Sequence, residues 1–181
     1  MKRTVLLVVG GLLLGGIIHI AVVLLVPTYA AHDAYAETKG LGRDREFHVL
    51  PLASPGAEPL PLLDPRMMHA VCRFSLADGP VRIRAVLPDD FWSIAIFDRR
   101  GRNIYSLNDR SSSGPKLDLA VLTPVQMAQL RQNPPESLDT AIVVEAPIEL
   151  GFALLRVFVA DESLTETATA ALKTADCAGT L

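Results

Sequence analysis

Residues 67–108 read MMHAVCRFSLADGPVRIRAVLPDDFWSIAIFDRRGRNIYSLN, four apolar runs separated by turn-forming residues. Met67 to Leu76 and Val81 to Leu87 flank Ala77-Asp78-Gly79-Pro80, turn chemistry of the kind that joins hairpin arms. Phe91 to Asp98 and Asn103 to Asn108 make a second such pair. Between them, Gly101 supplies a residue for the left-handed position of a short bulged loop. Arg82 and Arg84 alternate with Val81 and Ile83 and so share one strand face, expected to be the solvated one.

Downstream, Ser111 to Pro115 reads as a surface loop and Leu117 to Leu122 as a further strand. Thr123-Pro124-Val125-Gln126 is a capping box with proline at the first helical position, opening a short helix that Asn133-Pro134-Pro135 ends. Ala141 to Ala146 and Phe152 to Ala160 are two more β-branched runs. A last helix is predicted from about Leu164 to Ala175, capped by Ser163 and Glu166. Leu164, Ala168, Leu172 and Ala175 would share its inner face. Strands come first and helices are interspersed without the regular alternation of a parallel sheet, so the expected fold is α+β, mainly antiparallel and sandwich-like, with two helices.

Upstream, Pro51, Pro55, Pro59, Pro61 and Pro65 remove amide donors and fix an extended backbone outside any central strand. Leu52, Leu60, Leu62 and Leu63 suggest that this stretch lies along the domain. Before it, from Thr28, the chain is small, polar and alanine-rich. The expected organisation is a cytoplasmic start and transmembrane helix over 1–27, a juxtamembrane stalk and proline-rich segment over 28–65, and a periplasmic β-rich domain over 66–181.

Val5 to Val26 contains no charged residue and spans about 33 Å as a helix, against a hydrocarbon core of roughly 30 Å. Lys2 and Arg3 precede it and hold the N-terminus in the cytoplasm by the positive-inside tendency. The run is longer than the apolar core of a cleaved signal, although Thr28-Tyr29-Ala30 and Ala34-Tyr35-Ala36 offer small residues for cleavage, giving a mature start at Ala31 or Glu37. Within it, Gly11, Gly15 and His19 form one stripe. That stripe suits close approach of another helix or a homodimer; the alternative is that glycine is common in membrane helices and His19 reaches interfacial water.

The chain carries 17 basic and 20 acidic residues, and two of the basic ones precede the apolar run. An exported part with an excess of acids argues against nucleic acid as the main partner, which needs a concentrated basic face. Cys72 and Cys177 are expected to pair in an oxidising compartment, two buried free thiols being the alternative.

The block AVCRFSLADGPVRIRAVLPDDFWSIAIFDRRGRNIYSLNDR, Ala70 to Arg110, resembles the bacterial envelope family called domain of unknown function 1254, especially its short single-span members. The matching features are the Asp78-Gly79-Pro80 turn, the Phe91-Trp92-Ser93 strand with Asp98 at its end, and the return to Asn108-Asp109. In the short members the likeness extends to Gly15-Gly16-Ile17-Ile18-His19, to the Cys72 and Cys177 positions, to Leu122-Thr123-Pro124 and to Ala141-Ile142-Val143-Val144-Glu145. The resemblance implies a β-rich envelope domain with an inner-membrane address. Longer members carry a second β-rich domain, so an activity that needs both is expected to require a separate chain.

Trp92, Tyr105, Asn108, Asp109 and Arg110 lie on adjoining strands or the loop after them and are the candidate ligand-binding residues, for a polar ligand such as a sugar. The competing reading makes Trp92 core and Asn108-Asp109 a turn. His32, His48 and His69 have no metal-ligand spacing, and no Gly-x-Ser-x-Gly is present, so no metal, cofactor or catalytic residue is assigned. The expected function is a single-pass inner-membrane protein exposing a non-catalytic binding or assembly module in the periplasm. The alternative is a carbohydrate-directed hydrolase, using Asp89 or Asp90 with Asp109 and acting with a separate β-domain partner.

Overall fold

The computed structural model describes residues 2–29, 34–54, 56–60, 63–112, 114–135 and 138–179, without the side chains of residues 27–29. Ala30 and Ala31 at the candidate cleavage site, His32, Pro55, Pro61, Leu62 and Ser113 lie outside the described residues. The chain divides into two compact units, residues 1–32 and 33–181.

In the first unit, helix α1 runs Lys2–Tyr29. Its stretch Lys2–Val26 has a mean hydropathy of 2.6 and every side chain exposed, long and apolar enough to cross a membrane; a secretion signal near an N-terminus passes the same test. A Cβ placed at Gly11 or Gly15 would meet nothing within 4 Å, so both leave an open notch on the helix surface.

The second unit opens with the short helix α2, Ala34–Glu37, and a 3₁₀ turn, Thr38–Leu41. Among the described residues nine strands follow: β1 Phe47–Val49, β2 Met67–Ser75, β3 Val81–Val86, β4 Trp92–Asp98, β5 Asn103–Asn108, β6 Lys116–Leu122, β7 Ile142–Glu145, β8 Leu150–Phe158 and β9 Asp176–Gly179. Helix α3, Pro124–Gln132, lies between β6 and β7, and α4, Thr165–Lys173, between β8 and β9. Sheet A has the order β1-β2-β8-β4-β5 and is antiparallel throughout; sheet B has the order β7-β6-β3-β9 and is antiparallel except for the β6–β7 pair. The expected α+β architecture is therefore the one observed.

The two sheets pack face to face. Ala70, Phe74, Ile94, Ile96 and Leu155 from sheet A meet Val81, Ile83, Leu119 and Val121 from sheet B in one buried cluster, which Ala168 and Leu172 of α4 complete. Cys72 on β2 and Cys177 on β9 form a disulfide across this core, closing a separation of 105 residues. In the chain-entropy account such a closure stabilises the fold by about 4.7 kcal/mol.

The outer face of sheet A is covered by its own N-terminal segment. Leu41, Leu50, Leu60 and Leu63 pack on Val71, Phe97, Phe152 and Leu154. This explains why β2 is buried along both faces and reads MMHAVCRFS without alternation. On sheet B the outer face is partly covered by α3 and its following loop, through Leu130 and Leu138 against Ala120 and Leu122.

Several local expectations hold. The β4–β5 hairpin forms, with Gly101 at φ +80°, and Thr123 with Gln126 makes the full capping box of α3. Others are corrected. The Ala77–Pro80 turn does not join paired strands: β2 pairs with β1 and β8, β3 with β6 and β9, so the turn carries the chain from one sheet to the other. Gly79 at φ +112° makes the bend, and the Arg45 guanidinium donates to the Ser75 and Gly79 carbonyls at 3.3 and 2.7 Å, satisfying acceptors that a ladder would have used.

Arg82 is not solvated; it is 7% exposed and donates to both oxygens of Asp118 at 2.8 and 2.7 Å, whereas Arg84 is exposed as expected. Ser163 does not cap α4: Leu164 holds that position without a side-chain hydrogen bond, and Asp161 caps the preceding 3₁₀ turn, Glu162–Leu164, its carboxylate accepting from Ser163 N. Leu164 is 37% exposed, because a 3₁₀ turn precedes α4 and rotates it off the inner face.

A candidate binding face on sheet A

Strand β8 is central in sheet A, and its residues alternate strictly between the inter-sheet core and the outer face. Ala153, Leu155 and Val157 point into the core; Phe152, Leu154, Arg156 and Phe158 belong to the outer face. One charge thus sits in the middle of the sheet. The register places Arg156 opposite His69 on β2 and opposite Ser93 on β4, and Ser93 opposite Asn108 on β5. His69, Arg156, Ser93 and Asn108 therefore form one polar row across four strands.

The row has apolar borders. On one side Val71, Leu154 and Ala95 lie in register; on the other Met67 pairs with Phe158, whose ring carries the Arg66 guanidinium 5.1 Å from its centre. Within the row, Arg156 Nε donates to Ser93 Oγ at 3.0 Å. His69 is 2% exposed and its Nδ1 has no hydrogen-bond partner. Burial, reinforced by the positive charge of Arg156, lowers the His69 pKa; Asp64 and a hydrogen bond with the Met67 backbone oppose this more weakly. The imidazole is held neutral beside a guanidinium.

Of the residues singled out from the sequence, Trp92 is 1% exposed and Tyr105 is half-buried, both packed into the inter-sheet core. Asn108 belongs to the polar row, but its Oδ1 accepts from Ser111 N and Oγ at 3.1 and 3.0 Å and builds the turn after β5. Asp109 donates its backbone N–H to Trp92 O, and its Oδ1 is buried without a partner; Arg110 is exposed. Trp92 and Tyr105 thus face the opposite side of sheet A from Asn108. Arg156, Ser93 and His69 were not foreseen. Their one sequence signal is a lone polar residue inside an otherwise apolar strand.

A concave region lies at the far end of β4 and β5. Asp98, Arg100, Arg102, Pro147 and Glu149 line a cleft of about 270 Å³. Asp98 accepts from the backbone N–H groups of Arg100 and Arg102 and from Arg102 Nε at 2.9, 2.8 and 2.7 Å. Burial pushes the Asp98 pKa up, but these three bonds together with the nearby Arg102 charge outweigh it and hold the carboxyl below its ordinary value. Asp98 is thereby committed to organising the turn, and Glu149 is the cleft's other carboxylate.

Comparison with known proteins fits this architecture. The family described as "Protein of unknown function (DUF1254)" matches residues 46–178, well over half of the chain. The chain belongs to that family. Among solved structures, the DUF1254 chain is similar to the VPA0106 protein from Vibrio parahaemolyticus, at 15% identity and a TM-score of 0.59, over 82% of this chain and 35% of that one. An uncharacterized protein from Burkholderia cenocepacia matches at 17% identity with a TM-score of 0.42, over 62% of this chain and 32% of that one. The chain thus spans about a third of the length of either solved protein. The first likeness shows a shared fold; no curated protein matches the chain.

Proposed function

We propose that this DUF1254 chain is a single-pass protein of the bacterial inner membrane, its N-terminus in the cytoplasm and its β domain in the periplasm, acting as a non-catalytic binding or assembly module. The observation that carries this reading is the Cys72–Cys177 disulfide, which fastens one sheet to the other through the core. Structural disulfides form and persist in oxidising compartments and are rare in a reducing cytosol. The long apolar helix after Lys2 and Arg3 supplies the matching topology. A polar row crosses the outer face of sheet A, and in the cleft at its hairpin end the Asp98 carboxylate is already bound within its own turn.

The Gly11, Gly15 and His19 stripe is the proposed contact for a partner helix or a second copy. Replacing both glycines by leucine is expected to abolish crosslinked dimers or partner capture, and an unchanged crosslinking pattern would remove the pairing. The topology is tested by C-terminal fusions. A periplasm-dependent phosphatase reporter should be active and a cytosol-dependent fluorescent reporter dark; the reverse pattern overturns the reading.

A further inference from the structure

Other arginines held by the fold have carboxylate partners. Arg82 on sheet B is bidentate on Asp118, Arg102 binds Asp98 in its turn, and on the outer face of sheet A itself Arg73 reaches Asp44 at 3.2 Å. Arg156 differs. It is half-buried in the centre of a five-stranded sheet, yet among the described residues its hydrogen bond is to Ser93 Oγ, a neutral acceptor, and it makes no ion pair. The protein has 20 acidic residues, so carboxylates are not scarce. A charge taken partly out of water without a counter-ion is costly, and a bound anion removes that cost.

We propose that Arg156 is the centre of an oxyanion site on the outer face of sheet A, taking a carboxylate or phosphate group of a ligand, with Ser93 and His69 beside it. This rests on the binding-module reading and gives that module a ligand chemistry. With Nε engaged by Ser93, the two terminal nitrogens of the guanidinium form the fork that suits two oxygens of one anion. The second observation is His69, buried with an unpartnered Nδ1 directly across the strand from Arg156. Protonated, the imidazole offers both ring N–H groups, and an anion bound beside Arg156 favours that form. Other charges around His69 are few: Asp64 acts on it from the segment before β2, where its Oδ1 accepts from Arg66 N at 2.8 Å, and Arg66 itself lies over Phe158.

The test uses the full chain in an uncharged detergent, titrated with sodium phosphate and separately with sodium acetate at constant ionic strength, while the Arg156 Nε–H resonance is followed by NMR. The expected result is a saturable shift at roughly millimolar concentration with at least one of the two anions. Arg156→Gln should weaken binding at least tenfold, and Arg84→Gln, on the paired face, should not change it. A shift with phosphate alone assigns a phosphate ligand, and one with acetate alone a carboxylate ligand. No saturable shift with either anion, or Arg156→Gln binding within twofold of the unaltered chain, overturns the site. Should Arg156→Gln fail to fold, the titration of the unaltered chain still decides by the Arg156 resonance itself. A chain whose C-terminus proves cytosolic would overturn the exported topology and leave this titration unaffected.

Discussion

The outer faces of the two sheets solve the same problem in opposite ways. Sheet B sets Arg82 and Arg84 on its outer side and answers them with Asp118 and Asp176 from neighbouring strands. Sheet A pairs Arg73 with Asp44 towards one end of its outer side, but in its polar row it answers Arg156 with a serine hydroxyl and leaves His69 Nδ1 unpaired. The first face is electrostatically complete within the fold. On the second, positive charge and unused donors remain beside a partly covered apolar surface, which is how a recognition surface differs from a structural one.

This contrast can be broken most severely on sheet B. Asp118→Ala removes two charge-assisted bonds from a buried guanidinium and is expected to cost about 3 kcal/mol of stability, read by denaturant unfolding. A loss under 1 kcal/mol would mean that the pair is not what settles that face.

Lowering the pH should act on sheet A. The folded state holds the His69 pKa below its ordinary value of 6.5, so the unfolded chain binds the proton first. The stability linked to His69 is complete above about pH 6.5 and is lost as the pH falls from there towards the lowered folded value, by up to about 1.4 kcal/mol per pH unit. His69→Gln should flatten that part of the profile; an identical slope in the variant would assign the loss elsewhere.

Arg156→Met should be tolerated where Asp118→Ala is not. Removing an unpaired half-buried charge is expected to change stability by no more than about 1 kcal/mol, with a gain as admissible as a loss. A loss above 3 kcal/mol would show that Arg156 has a structural partner. The smallest effect is expected for Arg84→Gln, whose 3.7 Å contact with Asp176 is half-exposed on both sides and screened, and which should cost under about 0.5 kcal/mol.

What could be read from the sequence divides along the same line between local and non-local signals. The Gly101 turn and the Thr123–Gln126 box need only neighbours in the chain, and both form as expected. The Ala77–Pro80 turn reads as a hairpin because its chemistry specifies a reversal, while the sheet that each flank joins is decided by β8, β6 and β9, all distant in sequence. Strands β1 and β9 are three and four residues long, too short for any periodicity to announce them. The polar row is the extreme case. His69, Ser93 and Arg156 come together only through the register of β2, β4 and β8, so each looked like an isolated polar residue in an apolar run.

The most direct test of the open face is the NMR titration of the His69 ring in the full chain, in chloride buffer free of phosphate and carboxylates. Burial of the imidazole, reinforced by an unanswered Arg156, predicts a midpoint below 6.5, rising when phosphate or acetate is added. A midpoint at or above 6.5 without added anion would mean that Asp64 or another carboxylate already supplies the counter-charge, and would contradict the account.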